Sequence, residues 1–325
     1  MLKNIARLCG VTLLAASVLL TNTAYAGDYP DRSIKLIVPF PPGGNIDFTG
    51  RVLAKSLGDA LGQPVVIMNM GGAGGLVGAG WVAKAAPDGY TLLLGSTSSI
   101  TTAPAVNKEV SFDPVKDLTA IGGIQSLPLV LTASSKLPVN NFAELVSYSQ
   151  THGPVAIAAS GIGSPAHLSI ELMTRQTKLK AMYLPYQGSG PALTDLLGGQ
   201  VQAMTDQINS SIPYIRDGHI KVIVQLGAKR SVLLPDVPTL AEQGVPNFNA
   251  VTFTGLFAPA HLPPAVQTKL VAALAKAMTD PALRARFKEI GADIMDTTQP
   301  QFAQFIAADL AKWRTIAHDA NIVVQ

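Results

Sequence analysis

The chain is nearly devoid of thiols: its 325 residues include one cysteine, Cys9. Cys9 falls inside a segment built like a secretory signal peptide. Lys3 and Arg7 give a positive start, Leu8–Leu20 is an apolar run, and Ala24-Tyr25-Ala26 is a small-x-small cleavage site. The run is shorter than the ~20 apolar residues of a spanning helix. A lipid-bearing cysteine would follow such a run rather than open it, so a lipid anchor is excluded. Cleavage after Ala26 leaves residues 27–325 without cysteine. Disulfides, thiolate metal sites and cysteine nucleophiles are thereby excluded. The predicted location is the periplasm, where a large core supplies the stability that disulfides would otherwise add.

Charge is scarce as well, at 14% of residues. Removing Lys3 and Arg7 from the 24 basic residues leaves 22 against 21 acidic, a net charge of +1. That balance offers no footprint for nucleic acid or an anionic membrane. There is no P-loop, no H-E-x-x-H and no metal-spaced histidine cluster, the five histidines being scattered. No metal, cofactor or catalytic residue is therefore expected. Gly78, Gly80 and Ala83 do spell G-x-G-x-x-A. They lie within a helical pattern after the second strand, and no acidic residue follows at a strand end about 20 residues on. Close helix packing is the better account of them.

What the chain has is alternation. Ile34–Val38 reads as a strand, and Ile46, Leu53, Leu57 and Leu61 follow at helical spacing. Further strands are predicted at 64–68 and 90–94, separated by a small-residue helix over 76–86. The pattern restarts with strands at 129–132, 155–159, 180–183, 201–205 and 221–226, with helices between them. A strand at 253–257 and helices from Pro264, Pro281 and Pro300 close the chain. Such alternation implies mostly parallel sheets flanked by helices. Two sets of it without a flexible linker predict two lobes: 27–126 with 249–325, and 127–248. The cleft between lobes, beyond strand ends and at helix starts, is where a ligand is expected.

Five loops meet that description. Pro42-Gly43-Gly44-Asn45, with Asp47 behind it, joins the first strand to the first helix. Its glycines permit positive φ and close backbone approach, and a helix start attracts an anion. A plain strand-to-helix turn explains the same residues equally well. Ser160-Gly161-Ile162-Gly163-Ser164 precedes a helix with Pro165 at its first position and His167 in its first turn. His167 can pack or cap there as readily as it can meet a ligand. Ser96 and Ser98 stand at a hydroxyl-rich strand end, Tyr186 and Gly188 in a loop before a helix, and Asp206 just past a strand. Asp206 could meet a ligand donor or cap the next helix. None of these loops contains lysine or arginine.

Taken in order, several segments resemble the tripartite tricarboxylate transporter receptor family, also called Bug proteins. They are Ile37-Val38-Pro39-Phe40, Pro42-Gly43-Gly44 with Asp47, Leu61-Gly62-Gln63-Pro64-Val65-Val66 and Gly72-Ala73-Gly74-Gly75. Pro87-Asp88-Gly89-Tyr90-Thr91-Leu92, Phe112-Asp113-Pro114, Pro185-Tyr186-Gln187-Gly188 and Leu234-Pro235-Asp236-Val237-Pro238-Thr239 continue the set. The resemblance implies a two-lobed α/β fold of the periplasmic-binding-protein type II kind, crossed at its hinge by two strands. It implies a small organic carboxylate gripped between the Gly43 and Ser160 loops, with Asp206 reading the ligand's variable end. It implies a monomer that serves two permease subunits. Two departures stand out: Met68-Asn69-Met70-Gly71 replaces a usual Glu-Asn-Arg-Pro, and Gln187 replaces a common lysine. A sensory subunit for a membrane kinase is the alternative role. A secreted hydrolase or lyase built on Asp47, His167 and Asp206 is a third, disfavoured for want of a nucleophile or metal motif.

Overall fold

The computed structural model describes residues 29–324, so the signal segment and its cleavage site fall outside it. Residues 29–31 hold no regular element, and every strand and helix lies within residues 32–324. The strands are β1 (Ile34–Val38), β2 (Val65–Asn69), β3 (Thr91–Ser96), β4 (Leu118–Ser134), β5 (Val155–Ser160), β6 (Ala181–Tyr186), β7 (Ala203–Gln207), β8 (Ile220–Gln225), β9 (Val251–Pro259) and β10 (Asp293–Ile294). The helices are α1 (Asn45–Leu61), α2 (Leu76–Ala83), α3 (Ala103–Val106), α4 (Phe142–His152), α5 (Pro165–Gln176), α6 (Ser189–Gly198), α7 (Ile208–Arg216), α8 (Pro264–Ala277), α9 (Pro281–Glu289) and α10 (Gln299–Asp319).

The strands run in the order β2-β1-β3-β9-β4-β7-β5-β6, with β8 and β10 also paired to β4. In the first half, β1 pairs in parallel with β2 and β3, and β9 runs antiparallel between β3 and β4. In the second half, β5 pairs in parallel with β6 and β7, and β4 runs antiparallel to β7 and β8. Each half is thus mostly parallel, opposed in the first by β9 and the two-residue β10 and in the second by β4. β4 belongs to both. It pairs with β9 as far as Pro128 and with β7 from Leu129. Pro128 has no N–H to give to a ladder and sits where the strand changes partners. The chain crosses back nearby, where Ala250 N–H donates to Leu226 O at 2.7 Å and Leu226 N–H to Leu129 O at 2.9 Å.

Helix limits follow local chemistry. α1 buries Leu53, Leu57 and Leu61 on one face and ends at Gly62, whose φ of 73° suits glycine. Ser164 caps α5 by accepting His167 N–H, with Pro165 at the first position. Gly78 and Gly80 are packing residues: a Cβ on Gly78 would lie 2.7 Å from Met70 O, and one on Gly80 2.9 Å from Ser111 Oγ.

The first half's core stacks Phe253, Phe257 and Phe302 with Ile37 and Leu93. The second half's core centres on Leu131, Ile157, Leu168 and Met173. α10 serves both: Phe302 and Ile306 pack in the first core, Trp313 and Ile316 in the second.

Candidate carboxylate-binding cleft

Four helix starts converge where the two halves meet. Asn45 of α1, Ser164 and Pro165 at α5, Ser189 of α6 and Gln207 before α7 all line one cavity of about 240 Å³. The α1, α6 and α7 caps, Gly44, Gly188 and Gln207, supply no side-chain hydrogen bond to their helices. Their first-turn N–H groups keep the positive end of each helix dipole uncapped. At α5, Ser164 Oγ takes His167 N–H and Pro165 has none, which leaves Ala166 N–H at the wall. Ser96, Ser98, Ser160, Thr252 and Thr254 add hydroxyls. Leu127, Leu129 and Phe253 form the apolar floor. No lysine, arginine or histidine lines the cavity among the described residues.

Of the residues singled out in the sequence, Asn45, Ser96, Ser98, Ser160, Ser164 and Asp206 line this cavity. Pro42, Gly43, Gly44, Asp47, Gly161, Gly163, His167, Tyr186 and Gly188 do not. Most of the second group shape the loops instead. Asp47 is buried and accepts from Gly43 N–H at 3.0 Å, Asn69 Nδ2 at 2.9 Å and Arg51 Nε at 2.9 Å. The Arg51 guanidinium, opposed by burial and helped by the other donors, lowers the Asp47 pKa to about 2. The left-handed residue of this loop is Gly43, at φ 87°, whereas Gly44 is extended at φ −83°. Tyr186 gives its hydroxyl to Asp195 at 2.6 Å.

His167 stabilises the opposite loop. It is 4% exposed, and its Nδ1 accepts from Gly163 N–H at 3.0 Å. Its ring stacks on Tyr183 with centroids 3.7 Å apart. Burial lowers its pKa to about 4, so the imidazole is neutral. Glu171 Oε1 lies 3.9 Å from its other nitrogen. The ring thus braces the loop from behind, away from the cavity.

Asp206 differs. It is 6% exposed, and Oδ1 accepts from Ser189 Oγ at 2.9 Å while Oδ2 makes no hydrogen bond. Burial pushes its pKa up, against the hydrogen bonds it does receive. It does not cap α7, since the cap position belongs to Gln207.

Gln125, Thr252 and Thr254, from strand interiors, complete the wall without any sequence signal, beside Gln207, which follows Asp206 at the strand end. Gln125 on β4 gives Nε2 to Thr49 Oγ1 at 2.7 Å, and Thr49 Oγ1 donates to Asn45 O at 2.9 Å. Gln207 gives Nε2 to Thr252 Oγ1 at 2.8 Å, while its Oε1 receives Asn45 Nδ2 at 3.5 Å. That last contact links the two halves across the cleft. Period-two alternation places Gln125, Leu127 and Leu129 on one face of β4.

Residues 49–322 match the description tripartite tricarboxylate transporter family receptor. The chain belongs to this family. It is 36% identical to protein BugT of Bordetella pertussis over 98% of each chain. Among solved structures, it is similar to MatC from Rhodopseudomonas palustris with bound malate. That match has 34% identity and a TM-score of 0.75, and covers 89% of this chain and 99% of that one. It is also similar to R. palustris Rpa4515 with adipate, at 32% identity and a TM-score of 0.78, over 91% and 99% of the two chains. These relatives share the fold described above, and the family is one of solute receptors.

Proposed function

We propose that this receptor works in the periplasm, after cleavage behind Ala26, and captures one small organic carboxylate. Its two lobes, 27–126 with 249–325 and 127–248, close on the ligand and present it to two permease subunits. We further propose that it acts as a monomer and catalyses nothing. The observation that carries the reading is the convergence of four helix starts and a ring of hydroxyls on a cavity without a cation among the described residues. Neutral donors and helix dipoles suit an anion that must later be released. Charged hydrogen bonds contribute about 1.5–3 kcal/mol each, so three or four reach micromolar affinity, about −8 kcal/mol, after the cost of closure. Two of the three residues that a hydrolase or lyase would use are committed to the fold: His167 Nδ1 accepts from Gly163, and Asp47 accepts from Arg51, Asn69 and Gly43. On this reading the Gly43 loop grips the carboxylate from the first lobe, the Ser160 loop from the second, and Asp206 meets the ligand's other end.

Thermal unfolding with a panel of small acids and their amides tests this. At 100 times Kd a ligand adds about 2.7 kcal/mol of stability. Some acids are expected to raise the midpoint by several degrees while the matching amides do not. Equal shifts with acid and amide count against anion recognition.

A further inference from the structure

The relatives with bound malate and with adipate hold dicarboxylates. The charge balance of this cavity points elsewhere. Its wall already contains a carboxylate, Asp206, buried, with Oδ1 accepting from Ser189 and Oδ2 without a hydrogen-bond partner. No cation among the described residues lines the same cavity. The starts of α1 and α5 bring Asn45, Ile46 and Ala166 to the wall, while the starts of α6 and α7, Ser189 and Gln207, stand beside Asp206, which already takes the Ser189 hydroxyl. The pairing of β4 with β7 places Asp206 opposite Val130, on the second lobe, adjoining the apolar stretch Leu127–Leu129. The same cavity thus combines donors for an anion, apolar side chains, and in Asp206 an acceptor with one oxygen lacking a hydrogen-bond partner.

Resting on the receptor reading, we propose that the ligand carries one carboxylate and, at its far end, a hydrogen-bond donor. That donor is an ammonium, a primary amide or a hydroxyl group, and di- and tricarboxylate anions are selected against. A far-end donor supplies the bond that Asp206 lacks. A second carboxylate instead meets the buried Asp206 with no cationic side chain among the described residues of the wall to offset the pair, which is repulsive unless a proton is taken up. The cavity's ~240 Å³ is on the order of eight water volumes at ~30 Å³ each, which suits a chain of a few carbons.

The test is calorimetry at pH 8 on the mature protein with sets matched in chain length. At four carbons the set is succinate, succinamate, 4-hydroxybutyrate and 4-aminobutyrate, with butyrate as the end-less control. The same set is made at five and six carbons. A donor-ended acid is expected to bind at least about tenfold tighter than its dicarboxylate partner, the size of one charged hydrogen bond. Any dicarboxylate that does bind is expected to take up a proton, seen as heat that varies with buffer ionisation enthalpy. Asp206→Asn, nearly isosteric, is expected to narrow the preference and abolish the proton uptake. Dicarboxylates that bind as tightly as donor-ended acids at every length, without proton uptake, overturn this inference and leave the receptor reading intact. If no acid of any length binds, both fall.

Discussion

His167 shows how a polar residue at a helix start can serve the fold rather than the ligand. Its neutral Nδ1 holds the Gly163 N–H, a bond that a protonated ring cannot make. Its pKa falls from 6.5 to about 4 because burial penalises the charged form. The folded state therefore binds fewer protons than the unfolded chain between those values. The stability it contributes is complete above pH 6.5 and is lost as pH falls towards 4, on the order of 3 kcal/mol in all. His167→Phe keeps a ring against Tyr183 but cannot titrate. The stability difference between wild type and variant is expected to shrink by that amount from pH 6.5 to pH 4, measured by urea unfolding at each pH. A constant difference means the ring is not held neutral. Sequence logic chose His167, Asp47 and Tyr186 because they are polar and stand by helix starts. It could not tell that each spends its polar atoms on its own loop. It chose Asp206, Ser96 and Ser164 by the same rule, and these do reach the cavity. Gln125, Thr252 and Thr254 escaped it because they lie inside strands, where a polar residue gives no local sign of which face it occupies.

The long strand β4 is the least legible element of the chain. Only its end, 129–132, reads as a strand, because Gly122, Gly123 and Pro128 punctuate the rest. Each has a tertiary reason. β4 shifts register against β9 between Ala120 and Gly122 and again between Gly123 and Gln125. Side chains lie directly on those glycines: a Cβ on Gly122 would lie 2.8 Å from Leu274 Cδ2, and one on Gly123 2.8 Å from Met295 Cβ. Across the ladder, a Cβ on Gly255 would collide with the Phe302 ring. By contrast β1, β3 and β5 are legible because both faces are buried and their sequences are nearly continuous apolar runs. Gly255→Ala is expected to cost about 1–3 kcal/mol by overpacking the Phe253–Phe257–Phe302 cluster, read from the urea midpoint. No loss at that position means the ring can move aside, and the close approach is not a constraint.

At the scale of the molecule, the two-lobed α/β class was legible from alternation alone, but the order of strands was not, because pairing across the chain has no local pattern. The insertion of β9 between β3 and β4 is the feature with the widest consequence. Until residues 251–259 arrive, β3 and the first part of β4 have no neighbour on the side that β9 will fill. Strands β5, β6 and β7, like β1, β2 and β3, find one another within a single stretch of chain. Contacts distant in sequence carry the larger loop-closure cost and form late. The first part of β4 is therefore expected to join its sheet late, after the locally paired strands of both halves, because it waits for the C-terminal strand. Pulsed hydrogen exchange during refolding should protect Val155–Ser160 and Ala203–Gln207 before residues 118–128 of β4. Simultaneous protection of all three would mean that β9 docks as early as the local pairs form. In a receptor exported from its N-terminus, the gap between β3 and β4 would stay open until residues 251–259 had crossed.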